Sequence, residues 1–295
     1  MSDNPIPPPT NKFVDSRKNI FYFGEFGQEM VLCLPYVYWL NNRGMLESTK
    51  SCPDTKCFYY FSPNHTEIST HRTIDNAVAG CKQFPNDWHH HIDTFSYDYW
   101  TPPPLKDHYK KNNEIEFGKE VVVVNNKYNG EWGKEPVNYI DFETLDTLLK
   151  LLTKKYIVIY RRATLELCVG DQNELAGQRH ITDKSGQVTD FDLCDSYQNV
   201  YTFQKLMSNY PYFTFNMFQC KIFSLCDKFI TVQGGHSYLV GYFAKMNLNL
   251  IKKGRELRDG YYTNPNSWYG KLNGGSIELS TTESSLIENV EKYYM

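Results

Sequence analysis

The stretch Lys228-Phe-Ile-Thr-Val-Gln-Gly-Gly-His-Ser-Tyr-Leu-Val-Gly-Tyr-Phe-Ala-Lys245, continuing through Leu248-Asn-Leu-Ile-Lys-Lys-Gly-Arg-Glu256, decides the fold. Phe229–Val232 is short, apolar and β-branched, the pattern of a strand buried on both faces. Gly234 and Gly235 follow at once, with no Cβ to keep a ligand off the backbone. Ser237 is placed to cap a helix whose apolar face is Leu239, Val240 and Phe243. Leu248–Ile251 is a second buried strand. A strand–glycine turn–helix–strand unit offers free amides at the helix start, a site suited to phosphate. The expectation is a phosphorylated or nucleotide ligand at a sheet edge.

Working outward, the same grammar recurs. Tyr156–Tyr160 reads as a strand ending in Arg161-Arg162, preceded by a helix from about Asp141 to Leu152 with Leu145, Leu148, Leu149 and Leu152 on one face. Glu120–Val124 is another apolar strand, and Cys57–Phe61 a further one. Near the start, Ile20–Phe23 reads as a strand, Gly24-Glu-Phe-Gly27 as a turn, and Gln28–Leu40 as a helix that Pro35 kinks or begins. The polar run Asn125–Ile140 has the composition of a crossover between two lobes. Gly170–Asp195 reads as a long irregular loop. The fold class is therefore α/β, with two Rossmann-like lobes facing a central cleft. The expected boundaries are an arm at 1–17, rich in proline, an N-terminal lobe at 18–135, a C-terminal lobe at 136–280 and a terminal helix at 281–295.

Composition narrows the classes. The net charge of −3 argues against bulk nucleic-acid binding, which needs a basic domain. Aromatic residues make 16% of the chain, which suits either core packing or a cleft whose rings stack on sugar faces. The eight cysteines include no C-x-x-C, and no signal peptide precedes them, so they read as reduced thiols of a cytoplasmic protein. No apolar run reaches the roughly 20 residues of a membrane span.

On these residues the chain resembles GT-B glycosyltransferases. The matching segments are Ile157–Arg162, Cys226-Asp-Lys-Phe-Ile230, Gln233-Gly-Gly-His-Ser237 and Gly254-Arg-Glu256. Gln28-Glu-Met-Val-Leu-Cys-Leu-Pro35 is similar to the first loop and helix of heptosyltransferase-like members, where an acidic residue stands six positions before the proline, as Glu29 does here. The Asn126–Pro136 segment, and the wealth of Tyr, Asn and Lys, resembles sugar transferases of large DNA viruses that build chlorovirus capsid glycans.

The resemblance implies a nucleotide-sugar donor and a glycan acceptor as partners, no cofactor and no metal. It implies a UDP-sugar such as UDP-xylose, with GDP-fucose the rival. Its roles fall on Arg161 and Arg162 as forks for the diphosphate, on Gln233, Gly234, Gly235, His236 and Ser237 as its cradle, and on Glu256 for donor hydroxyls. Glu29 is the expected catalytic base, with Glu25 its local competitor. Trp88, His90 and Trp100 are candidates for the acceptor side. Each has a structural alternative: ion pairs at a strand end for the arginines, and a helix-dipole carboxylate for Glu29. Asp190-Phe-Asp192 has the D-x-D form of metal-dependent transferases but lacks an apolar strand before it. The rival classes are another nucleotide-dependent Rossmann enzyme, disfavoured because no Gly-x-Gly-x-x-Gly follows the first strand, and a non-catalytic glycan-binding protein.

Overall fold

The computed structural model describes residues 17–68, 72–73, 75–86, 94–130, 135–162 and 180–295. It contains two parallel sheets. The first has three strands, β1 (Lys18–Phe21), β2 (Leu46–Ser51) and β3 (His65–Glu67), in that order. The second has six: β4 (Val121–Asn126), β5 (Ile157–Arg162), β6 (Val200–Thr202), β7 (Lys228–Val232), β8 (Met246–Leu250) and β9 (Ser276–Ser280). Their spatial order is β6-β5-β4-β7-β8-β9, all parallel. Counted from β4 this is 3-2-1-4-5-6, the Rossmann order.

β4 is the central strand of the second sheet, so the second lobe begins near residue 120 and not at 136. The polar run after β4 is a loop inside that lobe. Two further expectations are corrected: Cys57–Phe61 is a turn, and the second strand of the first lobe is Leu46–Ser51, whose Glu, Ser, Thr and Lys residues hide it from a hydropathy reading. Of the expected irregular loop, residues 170–179 lie outside the described residues. Asp190–Asp195 is a helix closed by a capping box between Thr189 and Asp192.

Side chains of β4 alternate between two cores, as period two requires. Val122 and Val124 enter a cluster with Leu145, Leu148 and Leu149 of helix Phe142–Leu152, and with Leu286 and Val290 of helix Glu283–Tyr293. The terminal helix thus belongs to the second lobe. Val121 and Val123 enter the other cluster, which continues through Phe218 and Phe223 into Val37 and Leu40 of the first lobe. Polar ties join the lobes as well. Lys106 Nζ donates to the carbonyls of Cys226 at 2.9 Å and Phe243 at 2.6 Å.

The helix after β1 explains its own lobe contacts. Glu29–Cys33 is a π turn, and the Leu34 N–H reaches back to the Glu29 carbonyl. That leaves the Met30 carbonyl without its α-helical donor, and Tyr242 Oη supplies one at 2.5 Å. Pro35 has no N–H for the Val31 carbonyl. Trp100 Nε1 fills that place at 2.7 Å. Among the described residues no helix is long and apolar enough to cross a membrane.

Candidate active site

Ligands of doubly wound sheets bind beyond the carboxyl ends of the strands where the order reverses. Here that point lies between β4 and β7. Lys127 leaves the end of β4, and Gln233-Gly234 leaves the end of β7. Lys127 Nζ donates to Gln233 Oε1 at 3.3 Å. Gly234 has φ +133°, a conformation reserved for glycine, and a Cβ there would meet Lys127 Nζ at 3.2 Å. Arg161, from β5, is buried beneath, donating to Asn125 Oδ1 at 2.6 Å.

His236 marks where these charges converge. Its ring lies 5.2 Å from that of Phe26 in the first lobe. Burial pushes its pKa well below the usual histidine value, and the charges of Arg161, Lys127 and Arg72 push it further the same way. Arg72 comes from the first lobe, so cations of both lobes act on one imidazole. Clustered positive charge of this kind focuses an attractive field on an anion. Sequence reading missed Lys127 and Arg72. The signal for Lys127 was its place just after a Val-rich strand; Arg72 has none, because its partners are distant in the chain.

The depressed pKa has a measurable consequence. As pH falls below about 6.5, the unfolded chain takes up a proton that folded His236 refuses, so stability is unaffected above that pH and declines below it. Urea denaturation between pH 7.5 and 5.5 is expected to show a shallower decline in His236→Asn, by at most about 1.4 kcal/mol per pH unit. Parallel declines in the two proteins would contradict the assignment.

Arg162 does not join the cation group. Neighbouring strand residues point to opposite faces, and its guanidinium is spent on Asp190, with Nε to Oδ2 at 2.6 Å and Nη2 to Oδ1 at 3.0 Å. Tyr160 Oη also donates to Asp190 Oδ2, at 2.6 Å. The two arginines therefore do not form a pair of forks at one place: Arg162 turns to Asp190 and Arg161 to Asn125. The same contacts dispose of the D-x-D reading. Asp190 is a buried ion-pair partner, and Asp192 caps a helix.

The glycine turn is less open than expected. A Cβ on Gly235 would stand 2.9 Å from the Gly27 nitrogen, so this glycine serves the close approach of the two lobes. Ser237 is the third residue of its helix rather than the cap, and both its N–H (2.9 Å) and its hydroxyl (2.8 Å) turn to the Gly234 carbonyl. Glu256 is buried and accepts from Gln233 Nε2 at 2.5 Å and Tyr238 Oη at 2.9 Å. It thereby fixes the Gln233 side chain that Lys127 touches.

The two first-lobe carboxylates differ sharply. Glu29 is fully buried. Its Oε1 accepts from Ser51 Oγ at 2.5 Å and Tyr59 Oη at 2.8 Å, and its Oε2 lies 2.7 Å from Arg72 Nη2. Arg72 Nη1 also donates to the Gly24 carbonyl at 2.8 Å, tying the first turn to this carboxylate. Glu25 stands half-buried at the end of that turn, before helix Phe26–Gln28. Trp100 is withdrawn from the acceptor side, buried with its N–H on Val31. Trp88 and His90 lie outside the described residues.

In sequence the chain matches no family model and no curated protein. In structure it is similar to the ADP-heptose lipopolysaccharide heptosyltransferase II of E. coli, with a TM-score of 0.52 and 8% identity over 94% of this chain and 98% of that one. It is also similar to a family 9 glycosyl transferase of Veillonella parvula, with a TM-score of 0.50 and 9% identity over 95% and 90% of the two chains. The fold is thus the two-lobe, Rossmann-like GT-B architecture.

Proposed function

We propose that this protein is a glycosyltransferase that moves a sugar from a nucleotide-sugar donor to a glycan hydroxyl, by single displacement with inversion and without a metal. The observation that carries the reading is the placement of Lys127 and Arg161 at the carboxyl ends of β4 and β5, with Lys127 reaching across the switch point to Gln233 beside the Gly234 turn. When the bond from the sugar's anomeric carbon to the diphosphate oxygen breaks, negative charge grows on the departing nucleoside diphosphate. Fixed cations there stabilise the transition state more than the ground state.

The acceptor hydroxyl must lose a proton as it attacks. Glu25 suits this role better than Glu29, whose oxygens are taken by Ser51, Tyr59 and Arg72 inside the lobe. In this proposal Glu29 anchors Arg72, and Glu25 is the base. The donor leans to a UDP-sugar such as UDP-xylose, with GDP-fucose the rival, a choice that rests on the resemblance of the Asn126–Pro136 segment to viral sugar transferases.

The test is donor hydrolysis. Incubation with UDP- and GDP-sugars is expected to release nucleoside diphosphate slowly without acceptor and faster with a glycan acceptor, and to continue in excess EDTA. No release from any donor, with a glycan retained, would make this a binding protein. Complete loss in EDTA, restored by manganese or magnesium, would overturn the metal-free mechanism.

A further inference from the structure

Gln233 holds its amide between groups of opposite character. Its Oε1 accepts from Lys127 Nζ at 3.3 Å and from Asn138 Nδ2 at 3.5 Å, and its Nε2 donates to Glu256 Oε1 at 2.5 Å. Lys127 and Asn138 belong to the loop after β4, and Glu256 to the segment after β8. One buried side chain at the end of β7 thus joins the carboxyl ends of three strands.

The orientation of that amide is dictated by its neighbours. Asn138 Oδ1 accepts the N–H groups of Lys252 at 2.8 Å and Lys253 at 3.1 Å, and its Nδ2 donates to the Lys253 carbonyl at 2.8 Å. Backbone groups cannot exchange donor for acceptor. They therefore fix the end of Asn138 that faces Gln233 as a donor. At the other end stands the Glu256 carboxylate, held by Tyr238 Oη at 2.9 Å. A flipped Gln233 amide would set N–H against N–H on one side and oxygen against carboxylate on the other. Its oxygen is therefore turned to Lys127.

Lysine carries its charge on a flexible four-carbon stem. An ammonium that must be ordered each time an anion binds gives weaker binding than one already in place. A carboxylate partner would hold it but also neutralise it, as Asp190 does for Arg162. The neutral Gln233 oxygen orients Nζ and leaves its charge available, and the Gln233 amide stands between that charge and Glu256.

We infer that Gln233 is a positioning residue: with its amide set by Asn138 and Glu256, it holds the Lys127 ammonium at the β4–β7 switch point and does not itself bind the diphosphate. The inference rests on the glycosyltransferase function proposed above, in which that point receives the diphosphate. A double-mutant cycle tests it, read by calorimetric titration of the full-length protein with UDP and GDP at fixed low salt. Gln233→Asn keeps an amide but withdraws it by one methylene, and Gln233→Met removes it. Each is expected to weaken the better nucleotide about tenfold in the wild-type background and by less than about twofold in Lys127→Ala, because residues that act through one group are not additive. Gln233→Asn retains a polar group at this buried position, so the cycle can be completed on a folded chain where Gln233→Met is unstable. Losses of equal size in both backgrounds would mean that Gln233 meets the nucleotide directly or only supports the fold. No loss in either background would mean that Lys127 needs no positioning. Both results would overturn the inference and leave the proposed function standing. Binding of neither nucleotide to the wild-type protein would overturn the two together.

Discussion

Arg72→Ala is expected to cost about 3–5 kcal/mol of stability, because it leaves the charge of Glu29 buried without its counterion. The guanidinium lies 2.7 Å from Glu29 Oε2 and also holds the Gly24 carbonyl. The remaining donors, Ser51 and Tyr59, are neutral and both serve the other oxygen. Replacing the pair together, Arg72→Met with Glu29→Gln, is expected to recover much of the loss, since the cost comes from the orphaned charge rather than from the missing contact. Urea denaturation of the single and double variants reads both effects. A loss below about 1 kcal/mol in Arg72→Ala would mean that Glu29 meets solvent, and the base role would return to it.

Glu25→Gln is expected to lower turnover by about 10²–10⁴ while leaving nucleotide affinity unchanged. The amide preserves shape and hydrogen bonding but cannot take the acceptor's proton, and general-base catalysis contributes about that range. In the proposed function the nucleotide sits at the β4–β7 switch point of the second lobe, so its affinity is the internal control. Steady-state rates with saturating donor decide the matter. Near wild-type turnover in Glu25→Gln, together with a large loss in Glu29→Gln at unchanged stability, would exchange the two roles.

Much of the architecture was legible in the chain, for physical reasons that differ by element. Val121–Val124, Ile157–Tyr160 and Phe229–Val232 are buried on both faces, so their apolar runs announce them. Leu46–Ser51 sits in a small sheet, exposes Glu47 and Lys50, and hydropathy passes over it. The lobe boundary was misplaced because the polar loop after β4 looks like a crossover; only strand order shows that β4 is central. The Arg161-Arg162 pair announced a charged strand end, but alternation across the strand splits it between the cation group and Asp190. The spacing from Glu29 to Pro35 matched a family pattern along the chain. The π turn between them widens the helix, and Glu29 faces the interior. Lys127 and Arg72 gain meaning only from neighbours more than forty residues away in sequence.

The central claim is that a nucleoside diphosphate sits on the cation group at the β4–β7 switch point, and Lys127 tests it most directly. Its ammonium spans the two strand ends, and it is only partly buried, so Lys127→Ala leaves the fold intact. Calorimetric titration with UDP and GDP into wild type and Lys127→Ala, at fixed low salt, measures its share. A hydrogen bond to a charged group is worth about 1.5–3 kcal/mol, so the better nucleotide is expected to bind roughly tenfold to a hundredfold more weakly to the variant. Equal affinity in the two proteins would contradict the account.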